Sequence, residues 1–175
     1  MICFGFRISY LFFMKKGFTL IELLIVIAIA SILASLSLLS LNNAQHSGYE
    51  QSSLEILLSD LKLQQMKSMS GDTGFTTTTH EPFGIYFQTK NYTLFRGASY
   101  DPEDPTNFTV ELEGPLTFSS VTIPDSELVF TKGSGEITGF TEGQNTIVIT
   151  NEVTGQQITI TLDRYGVASG LTYAQ

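Results

Sequence analysis

The chain has 175 residues, with nine lysines and arginines against 17 acidic residues and a formal net charge of −8. That acidity argues against nucleic acid or anionic lipid as a generic partner, and the length admits one small domain beside an anchor. The single cysteine, Cys3, stands in the first few residues, so a chain shortened at its N-terminus has no disulfide, and its stability must come from core packing and neighbours.

Residues 1–13, Met1 to Phe13, are apolar and aromatic, and are set aside from fold reasoning as a leader or extension. Lys15-Lys16-Gly17 follow. Then come 24 residues, Phe18 to Leu41, whose one charged member is Glu22. At about 1.5 Å per residue such a helix can cross a hydrocarbon layer roughly 30 Å thick. Lys15 and Lys16, with Arg7 upstream, put the N-terminal side in the cytoplasm and the rest of the chain across the membrane.

Glu22 is the odd residue. A carboxylate at the centre of a spanning helix costs about 2.5–3.5 kcal/mol on insertion scales, and a plain anchor would use leucine. It therefore needs a partner, and no Lys, Arg or His occurs between Phe18 and Leu41. An α-amino group would serve, if the chain were cut just before Phe18. Two other readings compete. One is an ordinary signal-anchor with an accidental glutamate. The other is a secretory signal peptide cut at Ala28-Ile29-Ala30, although the apolar run continues past that point to Leu41.

Gly17-Phe18-Thr19-Leu20-Ile21-Glu22 resembles the processing site of type IV pilins and pseudopilins. The resemblance implies that a prepilin peptidase on the cytoplasmic face cleaves after Gly17 and N-methylates Phe18, with Lys15 and Lys16 as the basic end of the leader. It implies that Glu22 pairs with the terminal amine of a neighbouring subunit during assembly. Met14-Lys15-Lys16-Gly17 would make a complete leader, so translation is expected to start at Met14 or, on the other reading, to give a long leader 1–17. Loss of residues 1–17 removes Arg7, Lys15 and Lys16, leaving six basic residues against 17 acidic and a net charge near −11.

Residues 42–48, Asn42 to Gly48, are polar and mark the exit from the membrane; helix continues through them or resumes after. Leu54, Leu57, Leu58 and Leu61 follow the i, i+3, i+4, i+7 rule of an amphipathic helix. Met66 and Met69 extend the apolar character less regularly, while Glu55, Asp60, Lys62 and Lys67 can face solvent. Gly71 and Gly74 end the helix. Unbroken from Phe18 to about Ser70, it would run roughly 80 Å. With no proline in the membrane half, any bend should fall near Asn42-Asn43 or Ser47-Gly48.

From Thr76 onward the period becomes two. Phe83, Ile85 and Phe87; Phe108, Val110 and Leu112; Ile147 and Ile149; and Ile158, Ile160 and Leu162 each alternate with other residues, as antiparallel strands with one buried face do. Turns separate them at Lys90-Asn91, Gly133-Ser134-Gly135, Glu142-Gly143, Thr154-Gly155 and Tyr165-Gly166. The face of the Leu54–Leu61 helix must be covered by these strands. The expected fold is α+β: a long N-terminal helix packed on a small antiparallel β-sheet head, with residues 1–17 a leader, 18–41 a membrane and assembly helix, 42–70 its amphipathic continuation and 71–175 the head.

Leu128-Val129-Phe130-Thr131, Gly133-Ser134-Gly135, Gln157-Ile158-Thr159-Ile160 and Tyr165-Gly166-Val167 resemble the end of the GspH/FimT-like minor pseudopilins. DNA-binding members of that group carry basic residues near the C-terminus. Here Arg164 stands almost alone and the tail from Leu171 has no charged side chain, which argues against nucleic acid by that route. Asp101, Glu103 and Asp104, between Pro102 and Pro105, form a candidate calcium loop, against the plainer reading of a solvated acidic loop. His46 and His80 lack a second ligand at metal spacing. Thr76 to Thr79 reads as linker or edge strand. No cofactor is expected otherwise, and nothing argues for an enzyme.

The resemblance implies a single-pass protein of the bacterial inner membrane, and after assembly a filament. Its partners would be the prepilin peptidase, other pilins or pseudopilins through helix bundling, and an inner-membrane assembly platform. A minor pseudopilin of a type II secretion system, a minor pilin of a type IV pilus (for adhesion, motility or DNA uptake), and a non-assembling binding module on a plain anchor remain as alternatives.

Overall fold

Leucine, isoleucine and alanine in an unbroken run favour helix, and a threonine ahead of them supplies a capping oxygen. The computed structural model describes residues 19–71 and 80–174, the side chains of 36–47 excepted. Helix α1 spans Leu20–Ser70, 51 residues, and stays helical through Asn42–Gly48. It stops at Gly71, whose φ of +74° is cheap without a Cβ and whose N–H donates to the Lys67 carbonyl (3.1 Å). The expected leader 1–17, Phe18 and the run Thr76–Thr79 lie outside the described residues, as does the side chain of His46.

The chain divides into two units, Met1–Asn42 and Asn43–Gln175. In the first, every described side chain from Thr19 to Ser35 is exposed. Ser31 and Ser35 donate their hydroxyl hydrogens back to the carbonyls of Ile27 and Ile32 (2.8 and 2.7 Å), which satisfies both donors within the helix. Among the described residues no helix is long and apolar enough to cross a membrane; residues 36–41 of the expected span carry no described side chains.

In the second unit the strands are β1 Phe83–Phe87, β2 Asn91–Arg96, β3 Phe108–Glu111, β4 Leu116–Val121, β5 Glu127–Phe130, β6 Thr146–Asn151, β7 Gln157–Leu162 and β8 Ala168–Ala174. They form two antiparallel sheets, ordered β3-β2-β1-β5 and β4-β6-β7-β8, where the sequence suggested one small sheet. A single turn of 3-10 helix, Pro124–Ser126, precedes β5. The arrangement is α+β, an N-terminal helix packed against antiparallel sheets.

One apolar cluster joins all three layers: Leu54, Leu57 and Leu61 of α1, Ile85, Leu94, Leu128 and Phe130 of the first sheet, and Ile147, Ile149, Ile158 and Ile160 of the second. In β6 and β7 the register sets Ile147 opposite Ile160 and Ile149 opposite Ile158, so the isoleucines share the inner face. Each such side chain contributes about 1.5–3 kcal/mol when removed from water.

Polar groups on the same helix face bond the sheets to it. Gln64, only 1% exposed, donates from Nε2 to the carbonyls of Gly84 (2.7 Å) and Phe95 (3.3 Å). Ser68 Oγ accepts the Phe83 N–H (2.8 Å), and Ser53 Oγ accepts the Glu113 N–H (3.2 Å). Asn151 Nδ2 donates to the buried Glu50 carboxylate (2.8 Å). Gly84 is required for a different reason. A Cβ there would lie 2.4 Å from Phe95 Cζ and 2.6 Å from the Leu128 carbonyl oxygen, so only glycine lets the Phe95 ring close over β1.

Several expectations need correction. Asp60 does not simply face solvent; it accepts a hydrogen bond from Tyr92 (2.6 Å). Lys67 lies 5.6 Å from the centre of the Phe83 ring. The alternation Phe108, Val110, Leu112 marks a buried face only in part: β3 is an edge strand with Phe108 64% exposed, while Val110 packs half-buried against the core and Leu112 is buried just past the strand's end. Asn91, expected in a turn, begins β2.

Candidate processing and assembly site

The N-terminus of α1 is built by Thr19. Its Oγ1 accepts the Glu22 N–H (3.3 Å) and its carbonyl accepts the Leu23 N–H (3.2 Å). Thr19 is thus the N-cap and Glu22 the third helical residue, a Thr-x-x-Glu start ahead of an apolar run. A carboxylate there also meets the positive end of the helix dipole. The sequence pattern could have shown this capping role, which the processing motif overshadowed.

Beyond the cap, the Glu22 carboxylate has no hydrogen-bond or ion-pair partner among the described residues. Lys15, Lys16, Gly17 and Phe18 lie outside the described residues, so the structure neither brings them to Glu22 nor separates them from it. Around Glu22 the helix is apolar on all sides, with Leu20, Ile21, Leu23, Leu24 and Ile25 each more than half exposed. A helix of that kind must be covered by lipid or by other helices. In such surroundings a carboxylate is stable only when a cation is brought to it with good geometry.

The other candidates are elsewhere. Among the described residues no group of three or more His, Cys, Asp or Glu is placed to hold a metal ion. Asp101 Oδ1 accepts the Glu103 N–H, and Asp104 Oδ1 accepts the Thr106 N–H and hydroxyl (2.8 and 2.7 Å). These carboxylates therefore brace their own loop. The Thr106 hydroxyl and then its N–H hold the Asp104 carboxyl below the usual carboxylate range. The His80 ring sits over the Cα of Gly71, which explains that histidine as a cover for the helix end. Arg164 is exposed at the turn between β7 and β8.

A helix that is apolar all round at its start and one-faced further on, with antiparallel sheets on that face, defines a pilin-like arrangement. The family described as the prokaryotic N-terminal methylation motif matches residues 13–38. That match supports a type IV pilin-like family, and it indicates a substrate of a prepilin peptidase that is membrane-anchored or filamentous. No curated protein and no solved structure matches the chain.

Proposed function

We propose that the protein is a structural filament subunit, a minor pseudopilin of a type II secretion system, without enzymatic activity. Prepilin peptidase would cut after Gly17, with Lys15 and Lys16 at the membrane face, and methylate Phe18. The subunit would wait in the inner membrane with its head outside the cytoplasm. On the assembly platform its apolar helix would leave lipid for a bundle of pilin helices, and Glu22 would meet the amine of a neighbour's Phe18. The observation that carries this reading is Glu22, lodged one turn into a fully exposed apolar helix with no charge partner among the described residues.

The resemblance of the C-terminal strands to GspH/FimT-like chains supports a minor subunit, and a minor pilin of a type IV pilus is the second reading. Calcium is left out of the proposal because Asp101 and Asp104 already serve their loop. Intact-mass measurement of the native protein tests the core of it. A chain beginning at methylated Phe18 is expected; residues 15–17 still attached in cells with an active peptidase would overturn it and favour a plain anchored module. Co-purification with secretin-linked secretion components, rather than with a retraction motor, separates the two filament types.

A further inference from the structure

The inner face of the second sheet is not covered out to its edge. Residues directly opposite one another on paired strands point to the same side of a sheet. The register sets Leu171 of β8 opposite Ile160 and Tyr173 opposite Ile158. Ile160 and Ile158 are buried in the core, yet Leu171 and Tyr173 on the same face are 44% and 58% exposed. Helix α1 does not close over them. Between the helix and β8 lies an open groove of about 550 Å³, with Leu54 and Leu58 on one wall, Leu171 and Tyr173 on the other, and Glu50 and Glu55 on the helix beside them.

The backbone is open at the same place. Leu162 donates its N–H to the Asn145 carbonyl (2.9 Å), on the β6 side of β7. Backbone direction alternates along a strand, so Ile160 and Ile158 also bond toward β6, and Thr161, Thr159 and Gln157 bond toward β8. Their partners Gly170, Thr172 and Ala174 therefore face β7, which leaves the N–H and C=O of Leu171 and Tyr173 pointing outward. No backbone hydrogen bond reaches them there among the described residues. The other three sheet edges are blunted. β3 and β5 have four residues each, and Thr138 already donates to Val129 of β5 (2.8 Å). β4 carries a bulge, and its Phe118 N–H is taken by the Thr89 carbonyl (2.8 Å). β8 has seven residues, with neither a charge nor a proline, and its one irregularity lies at the Ala168 end, away from the groove. Such an edge accepts another strand.

We propose that this edge and groove bind an extended segment of a different protein, added antiparallel to β8, with apolar residues at alternate positions and lysine or arginine flanking them. Strand addition satisfies the backbone of Leu171 and Tyr173, while the segment's apolar side chains fill the space beside α1. The flanking cations answer the negative field of Glu50 and Glu55, neither of which has an ion pair among the described residues. A second copy does not meet this requirement. None of the edge strands β3, β4, β5 and β8 carries a lysine or arginine, and the whole chain is acidic. The docking rests on the head alone and stands whether or not the chain is cut after Gly17.

A capped heptapeptide, Lys-Thr-Val-Thr-Val-Thr-Lys, has both features, with its lysines and valines on one face. Its binding to the full chain in detergent micelles is measured by fluorescence anisotropy and by amide hydrogen exchange. Binding should slow exchange at Leu171 and Tyr173 several-fold. N-methylating the two valines, whose N–H groups would meet β8, should abolish binding, whereas N-methylating the central threonine should leave it unchanged. Replacing the peptide's lysines by glutamates should weaken binding several-fold, and Glu55→Lys in the protein should reverse that preference. No binding at millimolar peptide, equal binding of the glutamate peptide, or indifference to valine methylation overturns the proposal. So does protection of Leu171 and Tyr173 that grows with protein concentration and needs no peptide, since a second copy would then fill the groove. A chain that keeps residues 15–17 in cells with an active peptidase, yet binds the lysine peptide in this way, would remove the filament reading and leave the docking standing.

Discussion

Leu20–Ser35 and Glu50–Ser70 belong to one helix, yet they meet opposite demands. In the first stretch every described side chain is exposed and nearly all are apolar. In the second, Leu54, Leu57 and Leu61 are buried, joined by Gln64 and Ser68 that bond to strand backbones. The second stretch is completed by its own chain. The first can be completed only by lipid or by other chains, so changes in it should alter assembly and leave folding alone, while changes at the buried residues of the second should do the reverse.

The largest expected contrast is at Glu22. Glu22→Ala should reduce incorporation into filaments by more than an order of magnitude, yet leave the urea midpoint of the head unchanged. Glu22→Gln sharpens the point, because glutamine keeps the capping pattern and loses only the charge. If Glu22→Gln assembles like the parent, the cap and not the charge is what matters. On the other side, Leu57→Ala or Leu61→Ala should cost the head about 2–5 kcal/mol by urea unfolding, whereas Leu24→Ala should cost it nothing measurable.

Smaller effects probe the join between helix and sheets. Gly84→Val forces a side chain into the space of Phe95 and the Leu128 carbonyl, and should destabilise by about 1–3 kcal/mol. Tyr92→Phe removes the bond to Asp60 and should cost about 0.5–1.5 kcal/mol. Burial first, then the Asp60 hydrogen bond and charge, raise the Tyr92 hydroxyl well above its ordinary value of 10.0. A raised folded value stabilises fully below the unfolded value and is lost as pH climbs above it. Stability should therefore fall above pH about 10, and Tyr92→Phe should flatten that fall in urea titrations at pH 8 and 10.5.

Legibility followed coverage. β1, β6 and β7 were readable because their inner residues recur at a period of two, as Ile147 and Ile149 do between flanking threonines. β2 was not, because Tyr92 to Phe95 are buried in succession: Tyr92 and Leu94 face the core, and Phe95 packs edge-on against Tyr100 on the far side at 5.7 Å. β4 hid its period behind a bulge between Phe118 and Ser120, and β8 is an exposed edge strand containing a glycine, Gly170. At the candidate site Glu22 stood out as a charge in an apolar run, while the parts that lie outside the described residues rest on the motif alone.

The order of residues by itself determined the long helix, its two characters and the charge lodged in it, because periodicity, apolar run length and Thr-x-x-Glu capping are local properties. Only the tertiary structure decided that the strands split into two sheets, that Asp60 turns to Tyr92, and that Phe108 sits on an open edge. Those outcomes depend on which distant segment covers each face, and pairings such as Glu50 with Asn151 bring together residues 101 positions apart.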